Sequence, residues 1–287
     1  MILDGHIHLG DGRRDPAAFM ERLEEAGIDG GVVISLPPAA FPSIAASAPV
    51  SQRLDDVLSF TQGNDRLYPL FWIDPVEADA LEQVAEAVDR GVIGFKVICH
   101  AYAAGDPRAM KVFHAIAEHG KPILFHSGIL WDGKPSSAFN RPAQFEPLLE
   151  INHLRFSLAH IGWPWHDEMV AVYGKFLNAR ARRPELASEM FVDLTPGTPP
   201  LYREEVLTKL FTVGYDVENN VIFGSDCEAH DYQVGWTRDW IARDNRIYQT
   251  LGIGEEITKK VNGENLLRFL GLSKKKVAYK TLMPARD

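Results

Sequence analysis

Near its start the chain carries Asp4-Gly5-His6-Ile7-His8, two histidines one residue apart. Ile2, Leu3, Ile7 and Leu9 surround them with no helical period, so the segment reads as a β-strand. Residues i and i+2 of a strand share a face, so His6 and His8 present two imidazoles to one side from a stiff element. On a helix the same pair would diverge. Two imidazoles held this way suit a divalent metal ion, but a packed or solvated histidine pair has the same spacing. Four later residues bear on that choice. Lys96 lies in Gly94-Phe95-Lys96-Val97, His126 closes Ile123-Leu124-Phe125-His126, His160 follows Ser157-Leu158-Ala159, and Asp226 follows Phe223-Gly224-Ser225. Each interrupts or ends an apolar run, where a polar group without a partner is costly. Histidines with a carboxylate form a suitable ligand set for Zn²⁺ or a similar ion.

Those residues need elements that bring them together. Eight β-branched or apolar runs read as strands, at 2–9, 31–35, 67–73, 93–98, 122–126, 154–160, 190–194 and 221–225. Amphipathic helical stretches separate them, at the spacing of βα units. The first shows the pattern: Asp15 as N-cap, Pro16 at the first helical position, Phe19, Leu23 and Ala26 on one face, and Gly27 as the stop. The helix before the fourth strand repeats it with Leu81, Val84 and Val88 and ends near Gly91; the next ends at Gly120. Eight strands alternating with eight helical segments point to a (β/α)₈ TIM barrel, a single α/β domain over 1–272 followed by a basic tail over 273–287. A doubly wound sheet would carry a glycine-rich phosphate loop after its first strand, and His8-Leu-Gly-Asp-Gly12 is not one. In a barrel, His6, His8, Lys96, His126, His160 and Asp226 converge at one mouth.

The chain of 287 residues is 46% hydrophobic and 24% charged, with a formal net charge of −9. That balance suits a globular enzyme and argues against nucleic acid or an anionic membrane as partner. Two cysteines, Cys99 and Cys227, make no disulfide framework. With no signal-peptide pattern and no apolar run of membrane-spanning length, the sequence reads as cytoplasmic. Two long connections, 36–51 and 127–141, follow strand ends and read as active-site loops.

The ordered set of motifs resembles the amidohydrolase superfamily, specifically its amidohydrolase-related branch of metal-dependent TIM-barrel hydrolases and decarboxylases. That branch includes lactonases and the aminocarboxymuconate semialdehyde decarboxylase type. The resemblance runs over nearly the whole chain. It rests on Asp4-Gly-His-Ile-His8, Gly94-Phe-Lys96, Phe125-His-Ser-Gly128, His160-Ile-Gly-Trp-Pro-Trp165 with Glu168, Gly224-Ser-Asp226 and the closing Asn262-Gly-Glu-Asn265. It implies that His6, His8, His126 and Asp226 hold a metal, Zn²⁺ or another divalent ion, with His160 as an acid–base or oxyanion-polarising group. Asp226 would take the proton of a metal-activated water and return it to the leaving group. In two-metal relatives a carbamylated lysine bridges the ions, with His126 and His160 on the second. In one-metal relatives the same lysine forms a salt bridge or holds a carboxylate of the substrate, and the one-metal reading of Lys96 is preferred. The implied reaction is hydrolysis of a small carboxylated lactone, amide or ester, with non-oxidative decarboxylation as the alternative and an inactive barrel as a third reading. Relatives are often dimers, so the resemblance also implies a homodimer.

Other residues are weighed around that set. Trp72, Trp131, Trp163 and Trp165 read either as pocket walls or as packing, Arg141 as a carboxylate anchor or a solvated side chain. His100, Tyr102 and His230 lie near the expected mouth, whereas His114, His119, His153 and His166 read as surface residues.

Overall fold

A computed structural model describes residues 1–42, 44, 46, 48–273 and 277. The basic tail expected over 273–287 lies outside the described residues, apart from Ser273 and Val277.

The chain alternates strand and helix as its pattern requires. β1 (Leu3–His8), α1 (Pro16–Ala26), β2 (Gly30–Ile34), α2 (Val50–Thr61), β3 (Leu67–Trp72), α3 (Ala80–Asp89), β4 (Gly94–Val97) and α4 (Pro107–Glu118) form the first half. β5 (Ile123–Phe125), β6 (Arg155–Leu158), α5 (His166–Arg182), β7 (Glu189–Asp193), α6 (Arg203–Thr212), β8 (Val221–Ile222), β9 (Cys227–Glu228) and α7 (Val234–Leu251) follow. The chain then runs through α8 (Glu255–Lys259), a π-helical segment and α9 (Asn265–Phe269). Every strand pair is parallel, in the order β8-β7-β6-β5-β4-β3-β2-β1-β9. β8 and β9 are two pieces of one eighth strand position, joined by Phe223–Asp226. Gly5 N–H donates to Phe223 O at 2.9 Å and Asp226 N–H to His6 O at 3.0 Å, which closes the sheet into a barrel. No helix among the described residues is long and apolar enough to cross a membrane.

α1 forms as its sequence dictates. Asp15 accepts from Ala18 N–H, Pro16 starts the helix, Phe19, Leu23 and Ala26 are buried, and Gly27 closes it in the left-handed conformation. α3 departs from expectation. Its buried face is Ala80, Gln83, Val84 and Ala87, and Leu81 is 48% exposed. Between β5 and β6 there is no α-helix. Ser137–Asn140 and Pro142–Glu150 wind as 3₁₀ turns, and Pro147, inside the second, lacks the N–H an α-helix would need.

The interior of the barrel is filled by Leu3, Val32, Ile34, Leu70, Leu124, Phe191 and Ile222, with Leu266 and Phe269 of α9 in the same cluster. The outward faces of the strands, Phe71, Phe95, Val97, Phe125 and Val192 among them, pack in a second cluster with the surrounding helices. β1 does not keep strict alternation. Its register against β2 slips between Asp4 and Ile7, an extra residue on the β1 side. Leu3, in the interior cluster, and His6, lining the mouth, are three residues apart yet face the same side. Without the slip, filling the barrel with Leu3 would turn His6 and His8 outward.

Candidate active site

The C-terminal strand ends open on a cavity of about 490 Å³, lined by His6, His8, Lys96, His126, His160 and Asp226 together. Six residues drawn from β1, β4 and the ends of β5, β6 and the eighth strand therefore share one space. His6, His8 and Asp226 come closest: one ligand atom of each lies within 4.8 Å of the others. His6 Nε2 and His8 Nε2 each stand 3.5 Å from Asp226 Oδ1.

The eighth strand breaks so that Asp226 can enter. Strand pairing stops at Ile222 and Asp226 adopts φ +62°, a left-handed conformation uncommon for a residue with a Cβ. A Cβ at Gly224 would lie 2.6 Å from Thr195 Oγ1 and 2.9 Å from His6 Cβ, so only glycine lets the chain pass there. His160 is delivered in a similar way. It was expected at the end of a strand over 154–160, but β6 ends at Leu158 and His160 sits in a 3₁₀ turn, Ala159–Gly162, at φ +61°. A Cβ at Gly197 would stand 2.7 Å from His160 Cβ, so that glycine allows the loop after β7 to close over the ring. His126 lies one residue past β5, and its N–H donates to Val97 O at 3.0 Å.

The hydrogen bonds set which ring nitrogens face the cluster. His6 Nδ1 lies 2.9 Å from Asp193 Oδ2, both side chains 1% exposed. An ionised Asp193 can only accept, so it places the His6 proton on Nδ1 and turns the Nε2 lone pair toward Asp226. Thr195 fixes Asp193 in turn: its N–H donates to Oδ1 at 2.6 Å and its hydroxyl to the same oxygen. His126 Nε2 donates to Ile129 O at 3.2 Å, which leaves the lone pair on Nδ1. Lys96 Nζ reaches 3.2 Å from His6 Nε2.

Electrostatics follow from this crowding. Burial, with Lys96 nearby, holds His6 well below the ordinary imidazole range. Burial and the neighbouring His160 do the same to His126, and burial lowers His160. Burial brings Lys96 down to about 8, against the pull of Asp226 and Asp193. Desolvation would raise the Asp226 carboxyl, but the His8 hydrogen bond and the His6 and His160 rings outweigh it and keep it below the usual carboxylate range. Burial thus favours the neutral form of His6, His126 and His160 beside an ionised Asp226, and imidazoles with a carboxylate are a donor set that fits a divalent cation.

The remaining candidates divide. Trp72, Trp131 and Trp163 line the cavity, whereas Trp165 lies outside it, with the Arg141 guanidinium 5.2 Å from its ring centroid. Arg141 is paired with Glu168 and does not line the cavity. His100 pairs with Asp74 at 3.0 Å and His230 with Glu228 at 3.1 Å, and neither lines the cavity; nor does Tyr102, whose hydroxyl donates to Ile98 O. His114, His119 and His153 are exposed, but His166 is buried, because its Nδ1 meets Ile161 O at 3.0 Å and its ring packs on Trp163. Cys99 and Cys227 are free, buried thiols.

Three buried residues escaped the sequence reading. Asp193 ends β7 and Thr195 lies two residues beyond it, and their i, i+2 spacing at a barrel strand's C-terminal end was the available signal. Asp4 is the third. It accepts from Ser225 N–H at 3.0 Å and Tyr232 Oη at 2.8 Å, tying β1 to the turn that carries Asp226, and burial raises its carboxyl to about 6.

Comparison with known proteins adds to this geometry. A family model described as Amidohydrolase matches residues 3–272. Compared with curated proteins, the sequence has no match. Among solved structures, the chain is similar to a 2,6-dihydroxybenzoate decarboxylase complexed with 2,6-dihydroxybenzoate (TM-score 0.63, 14% identity, 95% of this chain and 98% of that one). It is also similar to a probable 2-pyrone-4,6-dicarboxylic acid hydrolase from Acinetobacter baumannii with citric acid bound (0.61, 12%, 94% and 99%). A third is the dihydroorotase of Campylobacter jejuni (0.58, 15%, 96% and 84%). At such identities these likenesses are of fold.

Proposed function

The chain belongs to the amidohydrolase family, and from this premise we propose that it is a metal-dependent enzyme that hydrolyses a small carboxylated lactone, amide or ester with Asp226 as general base. The observation that carries the proposal is the convergence of His6, His8 and Asp226 within 4.8 Å, with His6 oriented from behind by Asp193. His6, His8, His126 and Asp226 would hold one divalent cation, Zn²⁺ or another, with His160 beside them. Bound there, the cation supplies Lewis acidity that lowers the pKa of water toward neutrality.

The chain's own residues do the rest. Asp226, ionised and facing two imidazole Nε2 atoms, takes the proton from the attacking water and returns it to the leaving group. His160 polarises the oxygen of the scissile carbonyl. Lys96, buried and in no salt bridge among the described residues, receives the carboxylate of the substrate. We take one ion and not two: on that reading Lys96 keeps its ammonium, 3.2 Å from His6 Nε2, and is not a ligand. Non-oxidative decarboxylation is the second reading. It is favoured by the aromatic walls Trp72 and Trp163, which would hold a planar acid against Lys96.

The test is a panel of lactones, amides and esters assayed in ¹⁸O water, with carbon dioxide release followed in parallel on aromatic acids. Hydrolysis incorporates the label, and Asp226→Asn is expected to lower kcat by about 10²–10⁴-fold with an unchanged circular dichroism spectrum. Turnover of the variant within tenfold of the parent would remove Asp226 from this role.

A further inference from the structure

The histidines, Lys96 and Asp226 enter the cavity from the strands and the turns at their ends, and most of the remaining lining is apolar, with Asp132 the charged exception. Phe41, Ile44, Ile98, Leu130, Trp131 and Trp163 form its walls. Two of them stand out. Trp131 is 83% exposed and Ile44 47% exposed, although both border the cavity, so large apolar surface faces water at the mouth. The loop over 36–49, which supplies Phe41 and Ile44, contains no charged residue at all. Lys96 is the one Lys or Arg among the described residues that line the cavity. Arg141, the other candidate anchor, is committed to Glu168 and Trp165. The acidic residue on the walls, Asp132, is a fixed acceptor: Lys134 N–H donates to it at 3.0 Å and Ser136 Oγ at 2.8 Å.

Building on the active-site reading above, we infer that the site takes a substrate with a single anionic head and an apolar, ring-bearing body, and excludes di- and tricarboxylates. The head goes to Lys96 and the proposed cation, which supply positive charge. The body lies along Phe41, Leu130 and Trp163, and its far end covers Trp131 and Ile44. A second carboxylate at that end would lose water against apolar side chains, find no cation, and approach Asp132. Trp131 is thereby a specificity-determining residue: its ring binds the distal part of the substrate and does not touch the reacting atoms.

Two unreactive probes that differ by one group test this. 3-Phenylpropanoate and 3-(4-carboxyphenyl)propanoate are titrated into the metal-reconstituted full chain by calorimetry. The added carboxylate is expected to weaken binding about tenfold or more. Trp131→Ala should weaken 3-phenylpropanoate by roughly 3–10-fold and leave acetate unaffected, and Trp131→Arg should narrow the gap between the two probes. Equal or tighter binding of the dicarboxylate, no effect of Trp131→Ala on 3-phenylpropanoate, or no binding of either probe would overturn the inference. Turnover is not read. A failure of the hydrolase reading therefore leaves the charge preference standing, and a reversed preference leaves hydrolysis standing.

Discussion

Replacing Asp193 by Asn isolates the part of the site that acts from behind. Asp193 Oδ2 lies 2.9 Å from His6 Nδ1, and neither side chain is exposed beyond 1%. An ionised carboxylate there can only accept, which keeps the His6 lone pair on Nε2. An asparagine can turn its amide nitrogen to Nδ1, which drives the ring proton to Nε2 and removes the donor atom that faces Asp226. Its oxygen still accepts from Thr195 N–H, so the end of β7 keeps its main constraint. Loss of a carboxylate behind a liganding histidine costs about 10–100-fold in metal affinity. That is about 1.4–2.7 kcal/mol, in line with the roughly 1.5–3 kcal/mol of a hydrogen bond to a charged group. Competition with a chromophoric chelator near neutral pH measures the affinity, and the melting temperature of the metal-free variant reports the fold. A folded Asp193→Asn protein that binds metal within about twofold of the parent would refute the orienting role.

Three further outcomes follow from other contacts. Asp106 caps α4 by accepting from Arg108 N–H at 2.9 Å and pairs with its guanidinium, which holds the carboxyl down at about 2. A lowered folded pKa stabilises fully above the ordinary carboxylate range, so the deficit of Asp106→Ala, about 1 kcal/mol, should be constant from neutral pH to about pH 5 and shrink as pH falls toward 2. Denaturant melts across pH check this. Arg203 makes two bonds to Asp244, at 2.8 and 2.6 Å, both side chains buried. Asp244→Ala strands the guanidinium and should cost about 3–5 kcal/mol, roughly 5–8 °C in melting temperature. Lys96→Gln should leave the metal-to-chain ratio unchanged, and a halved ratio by elemental analysis would show a bridging lysine.

Strands and barrel order could be read because their apolar runs are continuous and glycines such as Gly27, Gly91 and Gly120 follow the helices between them, and α1 because Asp15, Pro16 and Gly27 carry its caps in plain sequence. The residues that line the mouth were visible for a related reason: Lys96 and His126 interrupt or end runs that otherwise bury hydrocarbon. Features that depend on distant partners were hidden. Asp193 looks like the polar end of any strand until His6, 187 residues away, is placed beside it. The slip in β1 leaves no local mark, since Asp4-Gly5-His6 suits regular and bulged strands alike. Asp226 and His160 take left-handed backbone that neighbouring contacts impose and local propensity disfavours, which is why both expected strands end early. Leu81 was assigned to a buried face because an apolar residue at helical spacing fits two adjoining faces, and only packing chooses between them.

The central claim is that His6, His8 and Asp226 form the core of a metal site. It is tested most directly by the metal content of the full chain, purified without a chelator or a metal-affinity tag and measured by elemental analysis with His8→Ala in parallel. The account expects about one equivalent of a divalent metal per chain in the parent and a clear loss in the variant. A parent chain that carries no metal and takes none up on addition would contradict it.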